Sequence, residues 1–266
     1  MGDLHVASID CLDPPGKVTY YRRVTRTPDL SAPQPAWRRA ARRMGRLVLG
    51  WRFRHFEPGG QDARKVKISG IELLVARGVF DPTLHFTSAF MANYVRHSGV
   101  AAAAGRVLDV GTGTGILAIS AALSGAAYTL ATDISPAAVA CAAQNIARHD
   151  LTLRVAVQCV AFAPADTESP FNLVLCNPPY FRGTPQNYSQ AAYMGGDRLQ
   201  WFDQFTRAIT PVLAPEAAVY MVIGDAADIA LILDKLVEYG WAYSVAAKSD
   251  ILIEVLYIFK LTRLAL

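Results

Sequence analysis

Cysteine is scarce and scattered. Cys11, Cys141, Cys159 and Cys176 are the only four in 266 residues, and no two form a C-x-x-C pair. That spacing argues against a disulfide framework or a zinc site, and reads as free, buried thiols in a protein of the reducing cytoplasm. Long apolar runs are missing too. No stretch of 18 or more residues escapes charge or strong breakers, so no transmembrane helix is expected. The start, "MGDLHVASIDCLDPPG", lacks a basic segment followed by an apolar core, so no secretory signal is predicted. Acidic residues are nearly absent from one region. Between Tyr20 and Lys67, thirteen Lys/Arg face three Asp/Glu, whereas the rest of the chain holds thirteen basic and nineteen acidic residues. The net charge of +4 thus joins a basic arm to a mildly acidic body.

Apolar residues are plentiful. At 52% they suffice for a sizeable core, and the length suits one large α/β domain with an N-terminal extension. Residues 1 to about 35, with "LDPPG" and "TPDLSAPQP", read as an irregular or extended lead-in. In "AWRRAARRMGRLVLGWRFRHF", Trp37, Ala40, Ala41, Met44, Leu47 and Val48 fall near one face of a basic amphipathic helix. The later "WRFRHF" is ambiguous between helix and strand. "KVKISGIELLV" predicts a hairpin about Ser69-Gly70, and a helix is expected from Leu84 to His97.

Beyond that point, strand, loop and helix alternate. "RVLDV", "YTLAT", "LRVAVQCVA", "FNLVLC" and "AAVYMVIG" read as strands. "GILAISAALSG", "SPAAVACAAQNIARHD", "DRLQWFDQFTRAITPVL" and "DIALILDKLVEYG" read as helices, the second with Ser135 as N-cap and Pro136 at its first position. Such alternation implies a mostly parallel sheet covered on both faces. "AYSVAAKS" and "ILIEVLYIFKL" are joined too tightly for a helical crossover and should run antiparallel. No internal repeat is present. The fold class expected is α/β, a Rossmann-like seven-stranded mostly parallel sheet with an antiparallel last strand. Residues 67–266 would form it behind a basic extension, 1–66.

Two turns carry chemistry. "VLDVGTGTG" places Gly111, Gly113 and Gly115 between the first body strand and its helix, where glycine lets the backbone approach a ligand beside a helix N-terminus. A nicotinamide fingerprint, G-x-G-x-x-G, would want glycine at 116, where Ile116 stands. Asp133 ends the next strand, 22 residues after Gly111, where a carboxylate can accept from both hydroxyls of a ribose; as an isolated residue it would read as a helix cap. The second turn is "CNPPYF". Asn-Pro-Pro-Tyr occurs by chance in on the order of one in a thousand chains this long. Here it follows the fourth strand of a sheet whose first strand already carries a glycine loop, so both lie outside the carboxyl ends of the strands.

With G-x-G-x-G, Asp109 two residues before it, Asp133 and "NPPYF" together, the chain resembles the S-adenosylmethionine-dependent N-methyltransferases of the N-P-P-Y type. These include HemK-type release-factor glutamine methyltransferases and N-methyltransferases of DNA, rRNA and tRNA bases. "GVFDPTLHFTSAF", "ATDISPAAVACAAQN" and "MGGD" resemble further family blocks, so the likeness runs from about Lys67 onward. The resemblance implies S-adenosyl-L-methionine as cofactor and no metal. The implied cofactor residues are Thr87, Asp109, Gly111, Thr112, Gly113, Gly115, Asp133, Ile134, Ala161, Phe162 and Asn177. Asn177, Pro178 and Tyr180 are the implied catalytic residues, and Pro179, Tyr180, Phe181, Tyr193 and Gly195 the acceptor side.

A planar amide or amino nitrogen delocalises its lone pair and is a poor nucleophile. Two acceptors, the Asn177 side-chain oxygen and the Pro178 carbonyl, would orient it and stabilise developing positive charge. Tyr180 would stack on the planar group, and Pro179 would stiffen the turn. "FDPTLHFTS" resembles the segment that closes over the cofactor, although Thr83 or Thr87 equally suits an N-cap. "YMGGD" resembles a pocket-lining loop and equally a plain Gly-Gly turn.

Two departures stand out. Val160 and Ala161 occupy the place where relatives often carry an adenine-contacting acid, so backbone groups and apolar contact, Phe162 included, would hold the adenine. The helical N-terminal domain of HemK-type enzymes is not recognisable, and the basic arm stands there instead.

The leading acceptor class is a planar nitrogen on a protein, a glutamine-like amide. The alternatives are a nucleobase amino group or a small-molecule amine of specialised metabolism. A regulatory protein that binds cofactor without turnover is disfavoured by the intact Asn177 turn. For the arm, a solvated charged face competes with contact to nucleic acid (Trp37, Trp51 or Phe53 stacking on bases), to an anionic membrane surface, or to an acidic partner or second subunit.

Overall fold

The computed structural model describes residues 18–20, 37, 40, 44, 63–167, 169–251 and 254–264. Most of the basic arm, with Cys11, Trp51 and Phe53, lies outside them. Within the arm, Trp37, Ala40 and Met44 are helical and exposed, Trp37 at 59% and Met44 at 62%. No helix among the described residues is long and apolar enough to cross a membrane.

Strand β1 (Val18–Tyr20) precedes a separate hairpin, β2 (Arg64–Ile68) and β3 (Ile71–Val75). Ser69 and Gly70 both take positive φ at its turn, which matches the right-handed twist of the paired strands. Helices α1 (Phe86–Ser98) and α2 (Val100–Ala104) lead into β4 (Arg106–Val110), α3 (Ile116–Leu123), β5 (Tyr128–Asp133), α4 (Pro136–Arg148), β6 (Val155–Cys159) and β7 (Phe171–Cys176). Then come α5 (Tyr188–Ala191), α6 (Gln200–Ile209), a 3-10 turn Thr210–Val212, β8 (Leu213–Gly224), α7 (Ile229–Glu238), β9 (Trp241–Asp250) and β10 (Val255–Arg263).

The main sheet runs β1-β9-β10-β8-β7-β4-β5-β6. Strands β6, β5, β4, β7 and β8 are parallel, and β10 is antiparallel to both β8 and β9. The seven expected strands are therefore present with their antiparallel last member. That member is inserted between β8 and β9 rather than added at the edge. An eighth strand comes from the lead-in expected to be irregular or extended: Val18–Tyr20 pairs antiparallel with Ala247–Ser249. Three residues paired across more than two hundred leave no periodicity to read.

Alternation along the strands divides the core in two. In β8, Tyr220 and Val222 pack with α1 and α3, while Val219, Met221 and Ile223 pack with α6 and α7. Burial on both faces is why these strands read as continuous apolar runs. Ser135 caps α4 by accepting from the Ala138 N–H, with Pro136 at the first helical position, as expected. The thiols are not uniformly buried: Cys141 and Cys176 are, but Cys159 is exposed, because β6 is the outer edge strand.

Candidate active site

A cavity of about 370 Å³ opens outside the carboxyl ends of β4, β5 and β7, within the range of small-molecule sites. One wall is the glycine loop. Gly111, Gly113 and Gly115 all have positive φ, in different surroundings. A Cβ built on Gly111 or Gly113 meets no protein atom within 4 Å, so these two border open space. At Gly115 it would meet Ala142 of helix α4 at 3.4 Å, an ordinary contact, so there the positive φ of 85° rather than crowding calls for glycine.

The loop's N–H groups are largely spent internally. Gly111 and Thr112 both donate to the Thr132 carbonyl at 2.9 Å, and Gly115 donates to the Thr112 carbonyl at 2.8 Å. The loop thus offers shape more than donors.

Asp109 lies beneath this wall, fully buried. Its Oδ2 accepts from the Thr112 hydroxyl at 2.6 Å and the Ala118 N–H at 3.0 Å, while Oδ1 has no partner. Burial pushes its carboxyl up to about 7, against the pull of the Thr112 and Ala118 hydrogen bonds and with help from the Asp133 charge. A raised folded pKa means that the native state holds the proton more tightly than the unfolded chain. The stabilisation is complete below about pH 4 and is lost as pH rises through about 7. Accordingly, the unfolding free energy from urea titrations at pH 5 to 8 should fall for the wild type relative to Asp109→Asn, by on the order of a few kcal/mol at most. Parallel profiles would remove Asp109 as the cause.

Asp133 lines the cavity and does two things at once. Its Oδ2 accepts from the Gly113 N–H at 3.0 Å and its Oδ1 from the Ser135 N–H at 2.9 Å. It therefore braces loop and helix while lone pairs remain for a ligand's hydroxyls. Burial holds its carboxyl above the usual range despite backbone hydrogen bonds from Ser135, Gly113 and Ile134. Beyond it, Ile134 (52% exposed), Val160, Ala161 and Phe162 supply an apolar wall. The Val160 N–H is taken by the Asp133 carbonyl at 3.1 Å. Phe162, at φ 67°, is pinned by its carbonyl to the Thr132 hydroxyl at 2.6 Å and packs on Trp201. Glycines opening onto space, a carboxylate with unused lone pairs and a flat apolar wall fit the amino-acid, ribose and adenine parts of S-adenosylmethionine.

Asn177 borders both this cavity and a crevice of about 10 Å³ lined by Thr87, Pro178, Tyr180, Phe181 and Tyr193 among others. Its Nδ2 donates to the Thr87 and Ser88 hydroxyls, each at 3.2 Å. The nitrogen is thus committed to α1, and the oxygen remains as the acceptor. Thr87 does not cap the helix, whose N-cap is His85; it orients Asn177 and shares a hydrogen bond with the Tyr180 phenol. Burial, with the Glu254 carboxylate adding to it, pushes that phenol far above its ordinary pKa; the Thr87 bond opposes the shift without reversing it, and Tyr180 stays neutral. Thr83 caps nothing either: its N–H and hydroxyl bond to Asp81 Oδ1 at 2.9 and 2.6 Å, and Asp81 is ion-paired with Arg64.

Pro179 and Gly195 line the main cavity, whereas Pro178, Tyr180, Phe181 and Tyr193 line only the crevice. "YMGGD" is more than a turn. Phe181 and Met194 form a parallel bridge, with Phe181 N–H donating to the Tyr193 carbonyl and Gly195 N–H to the Phe181 carbonyl, both at 2.9 Å. A Cβ on Gly195 would lie 2.4 Å from the Pro179 carbonyl oxygen, so only glycine lets this loop close on the turn.

Sequence reasoning missed Ser88 and Trp201. Two adjacent buried hydroxyls, Thr87 and Ser88, at the start of an apolar helix were the available signal for the first. The second had none, since Trp201, stacked on Phe205 at 4.9 Å, reads as ordinary core.

The glycine loop after the first parallel strand, the acid after the second and the Asn-Pro-Pro-Tyr turn after the fourth are set in a sheet with a reversed last strand. This is the fold of the S-adenosylmethionine-dependent methyltransferases. Residues 89–178 match the family model of ribosomal protein L11 methyltransferase (PrmA). The tRNA1(Val) (adenine(37)-N6)-methyltransferase of Shewanella halifaxensis is 30% identical over 122 residues, 44% of this chain and 49% of that protein. The release factor glutamine methyltransferase of Cereibacter sphaeroides is 34% identical over 131 residues, 45% and 47% of the two chains. The chain spans about half the length of the curated relatives it matches. Among solved structures, the T. thermophilus 16S rRNA N2 G1207 methyltransferase (RsmC), in complex with AdoMet and guanosine, superposes with a TM-score of 0.52 at 18% identity. The overlap covers 76% of this chain and 50% of that one.

Proposed function

We propose that this chain is an S-adenosylmethionine-dependent N-methyltransferase acting on a planar amide or amino nitrogen, with residues 67–266 as its methyltransferase domain. The observation that carries the reading is the Asn177 carboxamide, whose nitrogen is fixed by Thr87 and Ser88 beside the cavity that the glycine loop and Asp133 define. Bound S-adenosylmethionine supplies an electrophilic methyl group. Asp133 and the Ile134–Phe162 wall hold the cofactor's nucleoside. The Asn177 oxygen and Pro178 carbonyl accept the acceptor's N–H groups, aim its nitrogen and stabilise the charge that grows there. No side-chain base is required, because the proton can leave to water once the nitrogen is cationic.

The leading acceptor is a glutamine-like amide on a protein, as in the release-factor relative's name. The similarity to a tRNA adenine-N6 methyltransferase favours a nucleobase amino group as the second reading. The basic arm before Lys67 is the segment suited to bring the acceptor in, whether by acidic protein, nucleic acid or anionic surface. Incubation with methyl-labelled cofactor and fractionated cell extract tests the proposal. Label should enter protein in a protease-sensitive form. Nuclease-sensitive label would establish the second reading, and no transfer to any fraction would defeat both.

A further inference from the structure

Helix α4 carries a stripe that the core only partly uses. Ala138, Cys141, Asn145 and His149 recur at helical spacing along one face, and each meets the segment that precedes α1. Ala138 and Cys141 pack with Val79. The Cys141 thiol donates to the Leu74 carbonyl at 3.2 Å, and His149 Nε2 lies 2.7 Å from the Glu72 carbonyl oxygen. Asn145, fully buried, does most. Its Oδ1 accepts from the Leu74 N–H at 2.7 Å, and its Nδ2 donates to the Leu74 carbonyl at 2.8 Å. The same Nδ2 donates to the Thr114 carbonyl of the glycine loop at 2.9 Å.

One carboxamide therefore takes both backbone groups of Leu74, as a neighbouring strand would, and also grips the cofactor loop. Without it, the part-buried Leu74 N–H and the buried Thr114 carbonyl lose this partner and the Leu74 carbonyl keeps the Cys141 thiol, so hairpin or loop must shift or admit water. The consequences reach the acceptor side. The hairpin runs directly into the segment whose Asp81 pairs back to Arg64 on β2 and whose Thr87 and Ser88 hold Asn177.

We propose that Asn145 is a positioning residue that clasps the β2–β3 hairpin to the glycine loop, so that cavity occupation and hairpin order are thermodynamically linked. This rests on the cofactor reading above. By reciprocity, a ligand that firms the loop protects the hairpin, and releasing the hairpin weakens the ligand.

Hydrogen exchange of the full chain with and without S-adenosylhomocysteine, alongside calorimetric affinity, tests the linkage. In the wild type, saturating ligand should slow exchange of the residue 64–75 amides on the order of tenfold. In Asn145→Ala the hairpin should exchange faster without ligand and gain little from it, while β4, β7 and β8 keep wild-type protection. Its affinity should fall about tenfold. His149→Ala, which gives up only the Glu72 contact, should loosen the hairpin's far end without changing affinity. Wild-type hairpin protection in Asn145→Ala, or wild-type hairpin exchange indifferent to ligand that calorimetry shows bound, overturns the proposal.

Should Asn145→Ala not fold, Asn145→Asp keeps the acceptor for Leu74 but gives up both donated bonds when ionised. Its hairpin protection should then fall with rising pH relative to wild type, and a parallel profile would count against the clasp. A wild type that binds no ligand would defeat the functional reading, whereas the ligand-free comparison still decides whether Asn145 holds the hairpin.

Discussion

Asn177→Ala should lower the methyl-transfer rate constant on the order of a thousandfold while leaving S-adenosylhomocysteine affinity within a few-fold of wild type. Among the described residues the side chain's nitrogen bonds only to the Thr87 and Ser88 hydroxyls, which can turn to each other or to water once it is gone. On the proposed reading its oxygen, in contrast, would accept from the reacting nitrogen, and its loss would fall on the transition state, where positive charge develops. The cavity wall of Asp133, Ile134 and the glycine loop, proposed to hold the cofactor, is untouched. Single-turnover kinetics with labelled cofactor, together with calorimetry, separate the two effects. Unchanged turnover would remove Asn177 from catalysis, and a comparable loss of affinity would make it a cofactor residue instead.

Asp133→Ala should have the opposite signature, a cofactor dissociation constant raised on the order of a hundredfold with a smaller effect on the rate at saturation. Charge-assisted hydrogen bonds to two ribose hydroxyls would be lost. The Gly113 and Ser135 N–H groups would also lose their acceptor, loosening the loop. Asp133→Asn, which keeps one oxygen, should fall between. An unchanged dissociation constant for the alanine variant would remove the ribose role and leave Asp133 as a brace between loop and helix.

Much of the fold is legible in the sequence because its signals are local. Ser135-Pro136 marks a helix start, and the tight link between the last two strands allows only an antiparallel pair. The glycine loop, Asp133 and the Asn177 turn are likewise read from adjacent residues, and the strand order then brings them to one end of the sheet. What the sequence does not show rests on contacts across long stretches of chain: Asn177 is held by Thr87, 90 positions away, and Asn145 reaches Leu74, 71 positions away.

The alternating α/β chain, the glycine loop and the Asn-Pro-Pro-Tyr turn can be read without coordinates, since each follows from backbone preferences within a few residues. Packing in three dimensions settles which partner fixes the Asn177 amide and why Gly195 must be glycine. It alone placed the reversed strand inside the sheet and tied the hairpin to the cofactor loop. Those outcomes depend on which buried polar groups meet when distant segments pack. Burial penalises any group left unpaired, but no periodicity in the chain records the choice.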